Sequence, residues 1–137
     1  MRVIALDIGE KRIGVAVCDT RAGVCLPLKV LPAHEVLDNA PSWRRLLADE
    51  EPELIVSGLP RSMDGACGKQ AARIEAAARS IAERAGLDLE FSDERLSSAQ
   101  AKRILREQGM SERDMRGRVD AVAASLFLQS WVDSHKD

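Results

Sequence analysis

Tyrosine is absent from this 137-residue chain, and aromatic residues make up only 3% of it: Trp43, Phe91, Phe127 and Trp131. Such scarcity argues against a sheet that reads RNA by stacking bases on exposed rings. A surplus of one charge is missing too. Twenty Lys and Arg stand against 22 Asp and Glu, a net charge of -2, so contact with nucleic acid must come from a local patch rather than a basic coat. The three cysteines, Cys18, Cys25 and Cys67, are an odd number without C-x-x-C spacing and suit neither a disulfide framework nor a zinc site. The longest uncharged stretch, residues 121–132, is too short to cross a bilayer. The chain opens directly on a strand-like run without a signal-peptide pattern. These absences predict a soluble protein of a reducing, bacterial-type cytoplasm, with no membrane partner. Length and a 45% hydrophobic content predict one globular domain over 1–137.

The apolar pattern predicts an α/β fold. Residues 2–8 are almost continuously apolar, as in a central strand covered on both faces. Residues 13–18 and 23–30 follow across short polar links, which predicts an antiparallel meander, and Pro27 places the third strand at an edge. Val36, Ala40, Trp43 and Leu47 recur at helical spacing and predict one helix ending near Glu51-Pro52. A buried strand over 53–58, a loop over 59–68 and an alanine-rich helix over 69–85 come next, with Gly86 as its stop. A strand over 87–91, a helix opened by the capping-box pattern Ser97-Ser-Ala-Gln100 and running to about Gln108, and a last helix over 119–134 complete the order. The expected architecture is a mixed five-stranded sheet, its first three strands an antiparallel meander, flanked by helices on both faces.

Three acids stand out against this frame. Asp7 lies inside the most apolar strand, where an ionised carboxylate is costly unless paired, hydrogen-bonded or metal-bound. It is either a turn-capping acid or a ligand at the carboxyl end of a central strand, where open sheets place their sites. Asp120 falls in the middle of the apolar arc of the last helix, with Ala123, Ala124, Phe127 and Trp131 within about 60° of it. Ser125, Gln129 and Asp133 lie on the far side of that helix. Ser92-Asp-Glu-Arg95 supplies a third acid just past a later strand, and the pattern does not separate Asp93 from Glu94. Three converging carboxylates repel unless a divalent cation binds, so the metal-free cluster is expected to be strained, and Asp120→Asn is expected to raise metal-free thermal stability. Oxygen donors without histidine suit Mg²⁺ or Mn²⁺. Two such ions about 3.5–4 Å apart support in-line phosphodiester hydrolysis.

Cations surround these acids in the sequence. Lys11 and Arg12 occupy the link after the first strand. Residues 58–70 resemble a phosphate loop but fail as a Walker A, having Met63 and Gln70 where glycine and Ser/Thr are needed. Arg61, Lys69 and Arg73 around the next helix start can still hold a backbone phosphate. Residues 33–53 carry six acids and two bases. Residues 95–118 carry seven bases, Arg95, Arg103 and Arg106 among them, and three acids. That basic run lies between the second and third acids, as a track delivering phosphates to a metal site requires.

Four blocks carry a family resemblance: Ala5-Leu-Asp-Ile-Gly-Glu-Lys-Arg-Ile-Gly-Val-Ala-Val17, Val56-Ser-Gly-Leu-Pro-Arg-Ser-Met-Asp-Gly65, Asp93-Glu-Arg-Leu-Ser97 and Val119-Asp-Ala-Val-Ala-Ala124. In this order they resemble the signature blocks of the YqgF/RuvX family, pre-16S rRNA nucleases also called Holliday-junction-resolvase-like proteins. The resemblance runs from residue 1 to about 133. It implies an RNase H-like fold, endonuclease activity in maturing the 5′ end of 16S rRNA in the bacterial cytoplasm, and catalytic, metal-holding acids at Asp7, Glu94 and Asp120. Junction resolvases of the RuvC type resemble this layout but carry a second acid one turn along the last helix, where this chain has Ala123 and Ala124. Pre-16S rRNA is thus the expected partner, with branched DNA as the alternative substrate. A non-catalytic RNA- or transcription-associated module is the alternative class, and a monomer or weak homodimer the expected state.

Overall fold

The computed structural model describes residues 1–60, 65–94 and 97–135. Along the chain, β1 (Arg2–Ile8), β2 (Arg12–Asp19) and β3 (Val24–Pro32) are followed by α1 (Ala33–Leu37), α2 (Pro41–Glu50) and β4 (Leu54–Leu59). Then come α3 (Gly65–Ala85), β5 (Asp88–Asp93), α4 (Ser97–Glu107), α5 (Glu112–Met115) and α6 (Val119–Ser134). The five strands form one sheet in the order β3-β2-β1-β4-β5. β1, β2 and β3 pair antiparallel, while β4 lies parallel to both β1 and β5, with α1 and α2 leading into β4 and α3 spanning the step from β4 to β5. This is the mixed sheet and opening meander that the apolar runs predict.

Four details differ from expectation, each for a local reason. The helix expected through Val36 to Leu47 is split into α1 and α2, because Asn39 adopts a left-handed conformation (φ 54°) and Pro41 can only start a helix, not continue one. α3 begins at Gly65, inside the expected loop. α5 was not foreseen: one turn, capped where the Asp114 N–H donates to Ser111 Oγ at 3.3 Å, is too short to show periodicity. β3 bulges, since Val15 pairs with Lys29 and Ala16 with Pro27, leaving Leu28 as the extra residue. A proline with no N–H to donate sits naturally beside such a break in the ladder.

Strand alternation divides the core in two. Ile4, Leu6 and Ile8 of β1 join Ile13, Val15, Ile55, Trp43, Ile74 and Ile81 on the face covered by α1, α2 and α3. Val3 and Ala5 join Ala16, Val56, Ala124, Phe127, Leu128 and Trp131 on the face covered by α6. α6 is buried almost all round because α4 packs against it through Ala101 and Leu105. Ser125, expected to face solvent, is therefore only 8% exposed, its hydroxyl donating to the Val122 carbonyl at 2.6 Å. Gln129 is also engaged. Its amide accepts from the Cys25 N–H at 3.1 Å and donates to the Gly23 carbonyl at 2.9 Å. Cys18 and Cys25 stand opposite each other on β2 and β3 as free thiols.

Sheet and helix come close together at Gly14. A Cβ there would run into the backbone of Asp120 and Ala121, the first turn of α6. Gly14→Ala should therefore lower the thermal midpoint by about 5 °C or more, through displacement of α6. Gly117→Ala, whose Cβ would meet nothing, should shift it by less than about 2 °C. Thermal unfolding followed by circular dichroism distinguishes the two.

Candidate active site

Asp7 is the next-to-last residue of β1 and shares the α6 face with Val3 and Ala5. Directly opposite it on β2 is Gly14, so the vacancy that admits α6 lies beside Asp7. That seat brings Asp120, in the first turn of α6, over the carboxyl end of β1. Glu94 follows the last residue of β5. Its N–H donates to the Leu59 carbonyl at 3.3 Å and its carbonyl accepts from the Ser97 N–H at 3.1 Å, which fixes its backbone between β4 and α4. A second glycine makes room for its side chain. A Cβ at Gly58 would lie 2.7 Å from Glu94 Oε2 and 2.8 Å from Phe127 Cε2.

The electrostatics follow from this crowding. Burial, the charges of Glu94 and Asp120, and a hydrogen bond to Glu94 push the Asp7 carboxyl up to about 8. Burial raises Glu94 as well, aided by the charge of Asp93 and opposed by the Asp7 hydrogen bond and the charge of Arg73. The hydrogen bond between them raises Asp7 and lowers Glu94, which makes Asp7 its donor. Glu94 Oε2 is buried with no hydrogen-bond partner among the described residues. Asp120 is compensated differently: Arg12 Nε donates to Asp120 Oδ2 at 3.2 Å. Burial and the charges of two neighbouring carboxylates thus place strain on Asp7. Among the described residues, no three His, Cys, Asp or Glu side chains are arranged to hold a metal ion. The donors at hand are all carboxylate oxygens, one buried and unpartnered, and that chemistry fits a hard divalent cation at Asp7 and Glu94, with Asp120 turned to Arg12.

The predicted cations divide into groups. Arg73, half-buried on α3, is close enough for its charge to act on Glu94. Arg12 engages Asp120. Lys11 and Lys69 are exposed. Arg103 and Arg106 lie on the exposed side of α4, with Arg106 Nη2 3.7 Å from Glu112 Oε1. Arg61 and Arg95 lie outside the described residues. Two cations that sequence reasoning did not single out, Lys102 and Arg116, join Arg12 and Asp120 around a cavity of 280 Å³. The signal for Lys102 was its position next to Ala101 and one turn before Leu105, the α4 residues that meet α6.

A family model described as RuvX, Holliday junction resolvase, matches residues 1–134. A protein of Anaeromyxobacter sp. (strain Fw109-5) is 41% identical over 133 residues, covering 97% of each chain. One of Chloroflexus aggregans is 36% identical over 135 residues, covering 98% of this chain and 95% of its own. Both bear the name "Putative pre-16S rRNA nuclease". Among solved structures, T. thermophilus RuvC in complex with a Holliday junction substrate superposes with a TM-score of 0.56 at 17% identity, over 98% of this chain and 96% of that one. Fowlpox virus resolvase with junction DNA gives 0.56 at 11% identity, over the whole of both chains. The shared architecture is the RNase H-like fold.

In metal-free protein the unfolded chain loses the Asp7 proton near pH 4, whereas the folded chain keeps it to about pH 8. Across that window the folded state binds more protons, so stability falls as pH rises. Urea denaturation in EDTA should show the wild type losing about 2 kcal/mol or more between pH 5 and pH 8 relative to Asp7→Asn. Equal pH profiles for the two proteins would show that Asp7 is not strained.

Proposed function

The chain belongs to the RuvX family, and from that premise we propose that it is a metal-dependent endonuclease acting in maturation of the 5′ end of pre-16S rRNA. The observation that supports the reading is that Glu94, after β5, and Asp120, at the start of α6, both lie close enough to Asp7, at the end of β1, for their charges to raise it. Mg²⁺ or Mn²⁺ suits such oxygen donors. Bound as a pair, these ions supply activation of water and stabilisation of the leaving oxygen in in-line phosphodiester hydrolysis. The chain's own part would be to hold Asp7 and Glu94 at the carboxyl ends of β1 and β5, the two strands that flank β4, and to offer Asp120 from a helix N-terminus. Lys69, Arg73, Arg103 and Arg106, with Lys11 and Arg12, draw the nucleic-acid backbone toward these acids. We assign the activity to the whole chain, 1–137, as one nuclease unit, working in the bacterial cytoplasm as a monomer or weak homodimer.

The description of the matching family model and the junction-bound neighbours favour a second substrate, branched DNA. Against it, Ala123 and Ala124, at 1% and 0% exposed, stand in the core one turn after Asp120, where RuvC-type resolvases carry a further acid. A precursor fragment spanning the 5′ end of 16S rRNA and a four-way DNA junction, each incubated with the protein and Mn²⁺, separate the readings. Cleavage of the RNA is expected, with Asp7→Asn, Glu94→Gln and Asp120→Asn each slowing it about 100-fold or more. Faster cleavage of the junction would make the chain a resolvase. Cleavage of neither would leave a binding module. Arg103→Glu with Arg106→Glu should weaken RNA binding and lower the slope of log K against log salt by about 1.4, measured by fluorescence anisotropy.

A further inference from the structure

Asp120 is occupied, and its partner is the residue best placed to receive a phosphate. Arg12 opens β2 directly after the β1–β2 link, where the Gly9 N–H donates to the Arg12 carbonyl at 2.9 Å. A Cβ at Gly9 would lie 2.7 Å from that same oxygen, so the backbone of Arg12 is held close while its side chain stays 55% exposed. An ion pair this open to water is weak and readily exchanged.

Beside the pair lies the 280 Å³ cavity, lined by Arg12, Lys102, Arg116, Glu112 and Asp120. Its charges do not balance. Lys102 and Arg116 make no ion pair among the described residues, while Glu112 leans toward Arg106 and Asp120 is held by Arg12. Arg12 and Asp120 offset each other, so two cations, Lys102 and Arg116, face the space without an acid partner, and what the cavity lacks is an anion. Arg12 also reaches the right atom from the right side. It contacts Asp120, the carboxylate that the first turn of α6 brings over the end of β1.

We propose that this cavity is a subsite for one backbone phosphate of the nucleic-acid substrate, and that Arg12 is a positioning residue that exchanges Asp120 for that phosphate. In the free protein Arg12 ties up Asp120 and leaves the carboxylate set incomplete. When a phosphodiester enters between Lys102 and Arg116, the Arg12 guanidinium turns to it, since a phosphate offers two oxygens in the plane that a guanidinium fork matches. Asp120 is released toward Asp7 and Glu94. Substrate binding and cation binding are thereby coupled, each favouring the other. The role of Asp120 rests on the nuclease reading, whereas the phosphate subsite stands on the cavity.

The test is Mn²⁺ titration of the full chain, followed by electron paramagnetic resonance of the free ion, with and without a ten-nucleotide RNA held at 4 °C. Without RNA, Arg12→Gln should bind Mn²⁺ about fivefold or more tighter than wild type, because Asp120 is set free. RNA should tighten Mn²⁺ binding to the wild type by a similar factor and leave Arg12→Gln unchanged. Lys102→Gln with Arg116→Gln should keep the wild-type affinity for Mn²⁺ without RNA and lose the RNA-induced gain. Asp120→Asn made in the Arg12→Gln background should abolish the gain of Arg12→Gln, which a merely destabilised fold would not reproduce. Equal or weaker Mn²⁺ binding by Arg12→Gln overturns the exchange. A full RNA-induced gain in the Lys102/Arg116 double variant overturns the subsite. Undiminished Mn²⁺ binding and RNA cleavage by Asp7→Asn would instead count against the nuclease reading itself.

Discussion

The seating of the first turn of α6 on Gly14 is the contact on which the rest of the molecule depends. Along that face the sheet presents Ala5, Gly14, Ala16 and Gly58, small residues that let a helix backbone lie almost on the strands. Without them α6 would ride one side-chain layer higher, and Asp120 would hang in solvent instead of over β1. The same economy of side chains serves Glu94, whose carboxylate and the ring of Phe127 share the space that Gly58 leaves. Two glycines, on the strands that flank β1, thus do for the carboxylates what bulkier residues do elsewhere for a hydrophobic core. The positive end of the α6 dipole points into the same region, which makes the gathering of negative charge less costly.

The site balances its charge by two means, and they have different strengths. Asp7 and Glu94 are hydrogen-bonded in a buried setting, where the energetic stakes of an unpartnered oxygen are high. Asp120 uses an exposed guanidinium, where they are low. One half of the acid set is therefore responsive to protons and cations, and the other to whatever competes for an arginine. The near-neutral total charge hides this, because acids gather at strand and helix ends while the flanking cations lie on α3, α4 and the turn before α6.

Much of this was legible in the residues. The sheet, its meander and the last helix were written in apolar runs long enough to carry a period, and α6 spans the expected 119–134. Asp7 and Asp120 were conspicuous because each is a charge inside an apolar pattern. Glu94 was not, since neighbouring acids after a strand look alike until the chain direction past β5 decides which one turns inward. The break at Asn39 was missed because helical spacing persists across it. The burial of Ser125 was missed because a wheel treats one helix at a time, and only packing shows that α4 covers its outer side. Lys102 and Arg116 could not be told from the other bases of their run, as their role depends on a cavity formed between α4, α5 and α6.

Gln129 has a consequence beyond its two hydrogen bonds. β3 is an edge, and Val24, Leu26 and Leu28 on it are exposed, which is the usual recipe for sheets joining end to end. The Gln129 carboxamide accepts from the Cys25 N–H and donates to the Gly23 carbonyl, the same pair of bonds that the peptide group of an incoming strand would make. A single side chain from the helix layer thus impersonates the first rung of a sixth strand. Pro27, with no N–H to donate, and the bulged Leu28 beside it blunt the same edge further along.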